Sequence, residues 1–185
     1  MRELALHILD IAHNSVSAKA KNITLTVDED SIADRLHISI EDDGAGMDES
    51  MVARVTDPFT TTRTTRNVGL GIPLLKAAAE ACGGYLKIKS SLGVGTRIDV
   101  EFQRSHIDRM PLGNIADTVL SLIIGCPQVH WCFHYIVDKQ DFFFDDAPVK
   151  QELEGIPLTE PAVLKYLREL FEENVNQLQA FSQPF

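Results

Sequence analysis

The chain is short of positive charge: Lys and Arg number 17 against 27 Asp and Glu, a formal net charge of -10. Affinity for a phosphate backbone needs clustered cations, so broad nucleic-acid binding is excluded as a function class, although a small basic patch is still allowed. Cysteine is scarce as well. Cys82, Cys126 and Cys132 form no CxxC pair and no disulfide framework, as expected of a reducing compartment. Long apolar runs are also missing. Glu3, His7, Asp10 and His13 interrupt the N-terminal MRELALHILDIAHN, which excludes a signal-peptide core, and no other run is long enough to cross a bilayer. The expectation is a cytoplasmic protein with no membrane and no nucleic-acid partner. With 44% hydrophobic residues the 185-residue chain can fill one core, or a domain of about 100 to 150 residues with a small appendage.

Residues 2–20 read as a helix in which Leu4, Ile8, Ile11, Ser15 and Ala18 form one stripe and Ala5, Leu9, Ala12 and Val16 widen it. Asp10 and Asn14, four apart, share a face. NITLTV (22–27) alternates as a strand, DEDS reads as a charged turn, and RLHISIED (35–42) as a second strand. There Leu36, Ile38 and Ile40 point one way, and the period of two puts Asp42 on that same side with Glu41 and Asp43 opposite. A short helix over 48–55 precedes a Thr- and Arg-rich polar segment (56–69). IPLLKAAAEAC (72–82) is a helix with Pro73 in its first turn and Gly83-Gly84 as its stop. YLKIKS (85–90) and GTRIDVEF (95–102) then read as strands. Such an order predicts an α/β two-layer sandwich with helices on one face of a mixed sheet.

Beyond Arg104 the pattern predicts a helix over 112–124, strands in VHWCFHYIV and DFFFDD, and an amphipathic helix over 160–178. The expected division is a first α/β domain, 1–104, and a C-terminal α/β extension, 105–185, that extends the sheet or offers a partner or dimer surface. His130, Cys132 and His134 fall on one strand face, which invites a zinc site. Along a straight strand, however, they spread over roughly 13 Å, too far for one tetrahedral ion. Residues 138–173 hold ten acids and four bases, a solvated acidic face or a surface for a positively charged partner.

The motifs ILDIAHNSVSAKA, EDDGAGM, DPFTTTR, NVGLGIPLLKAAAEACGG and GVGT, in that order over residues 3–102, resemble the Bergerat nucleotide-binding fold of the GHKL superfamily. That superfamily includes gyrase-type topoisomerases, heat-shock protein 90, histidine kinases and mismatch-repair ATPases. The resemblance implies ATP and Mg2+ as cofactors. It implies that Asn14 coordinates magnesium, with Asp10 the catalytic acid one turn before it. It further implies that Asp42 reads the adenine amino group and that Gly44, Gly46 and Met47 line the base and sugar side. Gly69, Leu70 and Gly71 match the glycine box, Thr96 the threonine after the last glycine motif, and Phe59 and Arg63 belong to a histidine-kinase-like lid.

Hydrolytic members carry Glu where this chain has Asp10. The chain starts at the first motif helix, so upstream dimerisation and phosphoacceptor helices are expected to be missing, and neither His7 nor His13 stands in a phosphoacceptor context. HNSVSAKAKNITLTV also resembles the mismatch-repair version. The resulting expectation is a stand-alone, histidine-kinase-like module that binds ATP and transfers phosphate to a partner protein. The alternatives are a nucleotide-gated switch and a slow ATPase coupled to association, including association into a homodimer.

Overall fold

The computed structural model describes residues 3–56 and 71–181. Six helices and six strands follow in the order α1 (Leu4–Ser17), β1 (Asn22–Asp30), β2 (Arg35–Asp42), α2 (Glu49–Thr56), α3 (Gly71–Ala81), β3 (Tyr85–Ser91), β4 (Gly95–Gln103), α4 (Ile115–Gly125), β5 (His130–Val137), β6 (Gln140–Asp145), α5 (Asp146–Glu152) and α6 (Pro161–Phe181). The strands make one sheet ordered β3-β4-β2-β1-β5-β6. Every neighbouring pair is antiparallel except β1 with β5, which is parallel.

Alternation decides which face is buried. Register aligns Leu25 with Ile40 and Phe133, and Val27 with Ile38 and Tyr135, so each strand adds its apolar side chains to the same face. Ile98, Val100 and Phe102 of β4 continue the layer, and helix side chains such as Ile8, Leu75, Ile123 and Phe171 close it from above. The opposite face stays polar, carrying ion pairs such as Arg97 with Glu41 at 2.7 Å and with Asp99 at 3.0 Å. This is the two-layer sandwich that the sequence predicts.

Residues 105–185 contribute β5 and β6 to the same sheet. Their core is aromatic: Phe171 of α6 lies 5.9, 5.5 and 4.8 Å, centroid to centroid, from Phe133, Phe142 and Phe144. Burying a side chain of that size contributes about 1.5–3 kcal/mol. Among the described residues no helix is long and apolar enough to cross a membrane.

Three local differences from the sequence reading have physical causes. Helix α1 ends at Ser17 rather than residue 20 because Lys19 takes a left-handed conformation, φ 65°, while the Ala20 N–H turns back to the Ser15 carbonyl. Strand β1 continues through Asp28, Glu29 and Asp30, where a turn is expected. Asp28 pairs with Arg35 at 3.0 Å, Glu29 accepts from Tyr135 at 2.6 Å and from Arg104 at 3.3 Å, and Asp30 caps the N–H groups of Ile32 and Ala33. Helix α5 is unanticipated. It is capped by Asp145, which accepts from the Ala147 N–H at 2.8 Å, and Pro148 sits in its first turn, where no N–H is needed.

Candidate functional site

Asp42 ends β2 on the buried face, with 9% of its surface exposed. One carboxylate oxygen accepts the Ser15 hydroxyl at 2.5 Å and the other the Gly44 N–H at 2.9 Å. Ser15 reaches it because α1 crosses this end of the sheet with its apolar stripe downward. Sequence reasoning missed Ser15 as a site residue. The signal was present, a single hydroxyl in a stripe of Leu and Ile that has to face something polar.

The neighbouring acids part company as the strand period requires. Glu41 points outward to Arg97. Asp43 accepts the N–H groups of Lys21 and Asn22 at 2.7 and 2.8 Å and the Asn22 carboxamide at 2.6 Å. Partial desolvation raises its carboxyl, but these donors outweigh it, so Asp43 titrates below the usual carboxylate range.

The loop after Asp43 is pinned on two sides. The Ala45 N–H donates to the Ala18 carbonyl at 2.9 Å, and the Met47 N–H to Ser90 Oγ at 2.7 Å. Ser90 Oγ in turn lies 2.8 Å from Thr96 Oγ1, and Thr96 is the register partner of Asp42 on β4. Gly46 has φ +66°, and a Cβ there would run into the Ser91 carbonyl, so this close backbone approach admits only glycine. Between α1, this loop and β4 lies a cavity of about 260 Å³. Ile11, Met51, Val55, Ile72 and Ile98 supply apolar walls, while Asn14, Ser15, Asp42 and Thr96 converge on it as polar groups. That combination suits a flat heteroaromatic ligand with a few hydrogen-bonding edges.

Asp10 and Asn14 rise from the same helix at the other side. The Asn14 side chain, half-buried, lines the cavity. Gly71 opens α3 directly against Asp10, where a Cβ would overlap the carboxylate, so the carboxylate sits at the electropositive start of that helix. His7, one turn before Asp10, is buried, and burial pushes its imidazole below the ordinary value.

Of the residues singled out from the sequence, Asn14, Asp42, Gly46, Met47 and Thr96 line the cavity, Gly44 holds Asp42, and Asp10 meets Gly71 beside it. Phe59, Arg63, Gly69 and Leu70 lie outside the described residues.

A buried acid facing an apolar cavity, with an Asp and Asn ledge on the facing helix, makes a pocket suited to a flat ligand with polar edges. The sequence profile described as histidine kinase-, DNA gyrase B-, and HSP90-like ATPase matches residues 1–106, and the chain belongs to this family as an ATP-binding, kinase-like module. It is 39% identical over 89 residues to the sensor protein kinase FleS of Pseudomonas aeruginosa, covering 48% of this chain and 22% of that protein. It is 29% identical over 92 residues to sporulation kinase C of Bacillus subtilis, covering 50% and 21%. The chain thus spans about a fifth of the length of these relatives. A crystal structure of the N-terminal domain of a DNA repair protein superimposes on 77% of this chain and 52% of its own with TM-score 0.56 at 14% identity, a likeness of fold alone.

Proposed function

We propose that this chain binds ATP with magnesium in the cavity beneath α1 and passes the γ-phosphate to a side chain of a partner protein in the cytoplasm. In this reading residues 1–104 hold the nucleotide and residues 105–185 offer the partner or dimer surface. The observation that carries the reading is Asp42. Its two anchored oxygens face the cavity as acceptors, the chemistry that selects an adenine amino group and leaves a base without that donor poorly matched. The apolar walls take the faces of the ring, and Thr96 adds a hydroxyl at its edge.

Magnesium, when bound, neutralises charge between the phosphates. The fit of this chain to the ion rests on Asn14, whose carboxamide oxygen is a magnesium-type ligand in the cavity wall. Asp10 is placed to accept a proton from the attacking hydroxyl or to hold a water. Arg63 and the Gly69-Leu70-Gly71 box are the candidates for the phosphate end.

A nucleotide-gated switch is the second reading, favoured by the contact of Asp10 with Gly71, the last residue of the glycine box and the first of α3. Calorimetry of the full chain with ATP, with and without magnesium, tests the binding step. Magnesium should tighten binding to the parent and have little effect on Asn14→Ala, and the absence of any binding heat sinks both readings. Release or transfer of labelled γ-phosphate that falls in Asp10→Asn supports chemistry. Binding with no transfer and no release from the parent leaves the switch.

A further inference from the structure

On the open face of the sheet, away from the nucleotide cavity and outside residues 1–106, three metal-ligating groups of different chemistry converge. His130 and Cys132 are two apart on β5 and so share a face, and the antiparallel register sets Asp145 of β6 directly opposite Cys132. His130 Nε2 lies 2.8 Å from Asp145 Oδ1 and 3.7 Å from Cys132 Sγ, and all three ligand atoms fall within 4.8 Å of one another. All three residues are half-buried.

The strand-only set of His130, Cys132 and His134 is ruled out by its length, and in the structure His134 is engaged elsewhere, 2.8 Å from Asp141. What a single strand cannot supply, its hairpin partner does.

The surroundings orient the histidine. Asn22 donates its amide N–H to Asp43 at 2.6 Å, which fixes which end of the carboxamide is oxygen, and that oxygen lies 2.9 Å from His130 Nδ1. An oxygen facing Nδ1 makes it an N–H end of the ring; Nε2 donates to the Asp145 carboxylate here and is the nitrogen left to face an ion that displaces that proton. Histidines that hold metals are oriented in this way, by a carbonyl or carboxylate on the distal nitrogen. Asp145 is held too, by the Ala147 N–H at the start of α5.

We propose that His130, Cys132 and Asp145 bind a zinc-class divalent ion, with a fourth position open to water. Thiolate and imidazole together select zinc over magnesium or calcium, which take oxygen ligands. Bond lengths of about 2.0–2.3 Å place the corners of a tetrahedral site about 3.3–3.7 Å apart. Cys132 to His130 is already at that spacing, and the Asp145 carboxylate, within 4.8 Å of both, has only to give up part of its 2.8 Å approach to His130. With three protein ligands rather than four, the ion is exchangeable and exposed to small ligands.

The test uses the full chain and cobalt as a spectroscopic stand-in. Cobalt should give one equivalent of four-coordinate ligand-field absorption in the red, with a thiolate-to-metal band in the near ultraviolet, and one equivalent of zinc should remove both. Cys132→Ser should lose the thiolate band, whereas Cys82→Ser and Cys126→Ser keep it. Asn22→Ala should bind the metal about 10–100-fold more weakly. Should Cys132→Ser fail to fold, zinc protection of Cys132 against alkylation in the parent, read peptide by peptide, takes its place. A parent without a thiolate band and without protection overturns the proposal and leaves an imidazolium–carboxylate ion pair. None of these readouts involves nucleotide, so they stand or fall apart from the proposed function.

Discussion

Replacing Asp42 by Asn changes one oxygen for an NH2 group at nearly constant volume, and the hydrogen bonds dictate which one. The Gly44 N–H, 2.9 Å from one oxygen, can only donate, so the carboxamide oxygen must stay there. The NH2 then falls where the Ser15 hydroxyl is now received, and Ser15 can turn to accept from it. The fold should therefore lose less than about 1 kcal/mol. The cavity, however, now presents a donor to the adenine amine in place of a charged acceptor. A hydrogen bond to a charged group contributes about 1.5–3 kcal/mol, which corresponds to binding roughly ten- to 150-fold weaker.

Calorimetry with ATP and with inosine triphosphate, which lacks the exocyclic amine, separates this from general damage. The parent should prefer ATP by a similar factor, and Asp42→Asn should lose the preference. If Asp42→Asn binds ATP within threefold of the parent and keeps its preference over inosine triphosphate, Asp42 does not read the base.

Gly46→Ala should destabilise the chain by more than the roughly 1–2 kcal/mol of a left-handed residue, because the new methyl also meets the Ser91 carbonyl; urea unfolding equal to that of the parent would contradict this. Phe171→Ala should cost about 3–5 kcal/mol in the same assay, since it empties the centre of the aromatic cluster between β5, β6 and α6. His7 is held neutral by burial, so its contribution to stability is complete above the unfolded imidazole value of about 6.5 and is lost as pH falls toward its lower folded value. Denaturation midpoints measured from pH 7 to 5 should fall for the parent with a shallower slope in His7→Leu, and identical slopes would remove His7 from the account.

What could be read from the sequence was whatever depends on period. Two-residue alternation carried β2 as far as Asp42 and separated that acid from Glu41 and Asp43. The helical stripe placed Asp10 and Asn14 together, and glycines marked the tight approaches at 46 and 71. The features that escaped depend on partners distant in the chain. Asp28 and Glu29 looked like a turn because Arg35, Tyr135 and Arg104, which satisfy them within a strand, arrive only when the sheet forms. Ser15 looked like a neutral gap in an apolar stripe until β2 delivered Asp42. Asp145 could not join His130 and Cys132 on paper, since only the hairpin register puts it opposite Cys132.

Strand β1 is flanked on both sides, by β2 and by the parallel β5, and each residue from Asn22 to Glu29 faces a β5 partner. A chain cut where the family match ends would turn this interior strand into a bare rim, with unpaired N–H and C=O groups along its length and the side chains of Leu25 and Val27 no longer flanked by Phe133 and Tyr135. Such rims template pairing with any extended segment that reaches them. Strand β5, which lies beyond the family match, is therefore what covers this rim of the matched residues.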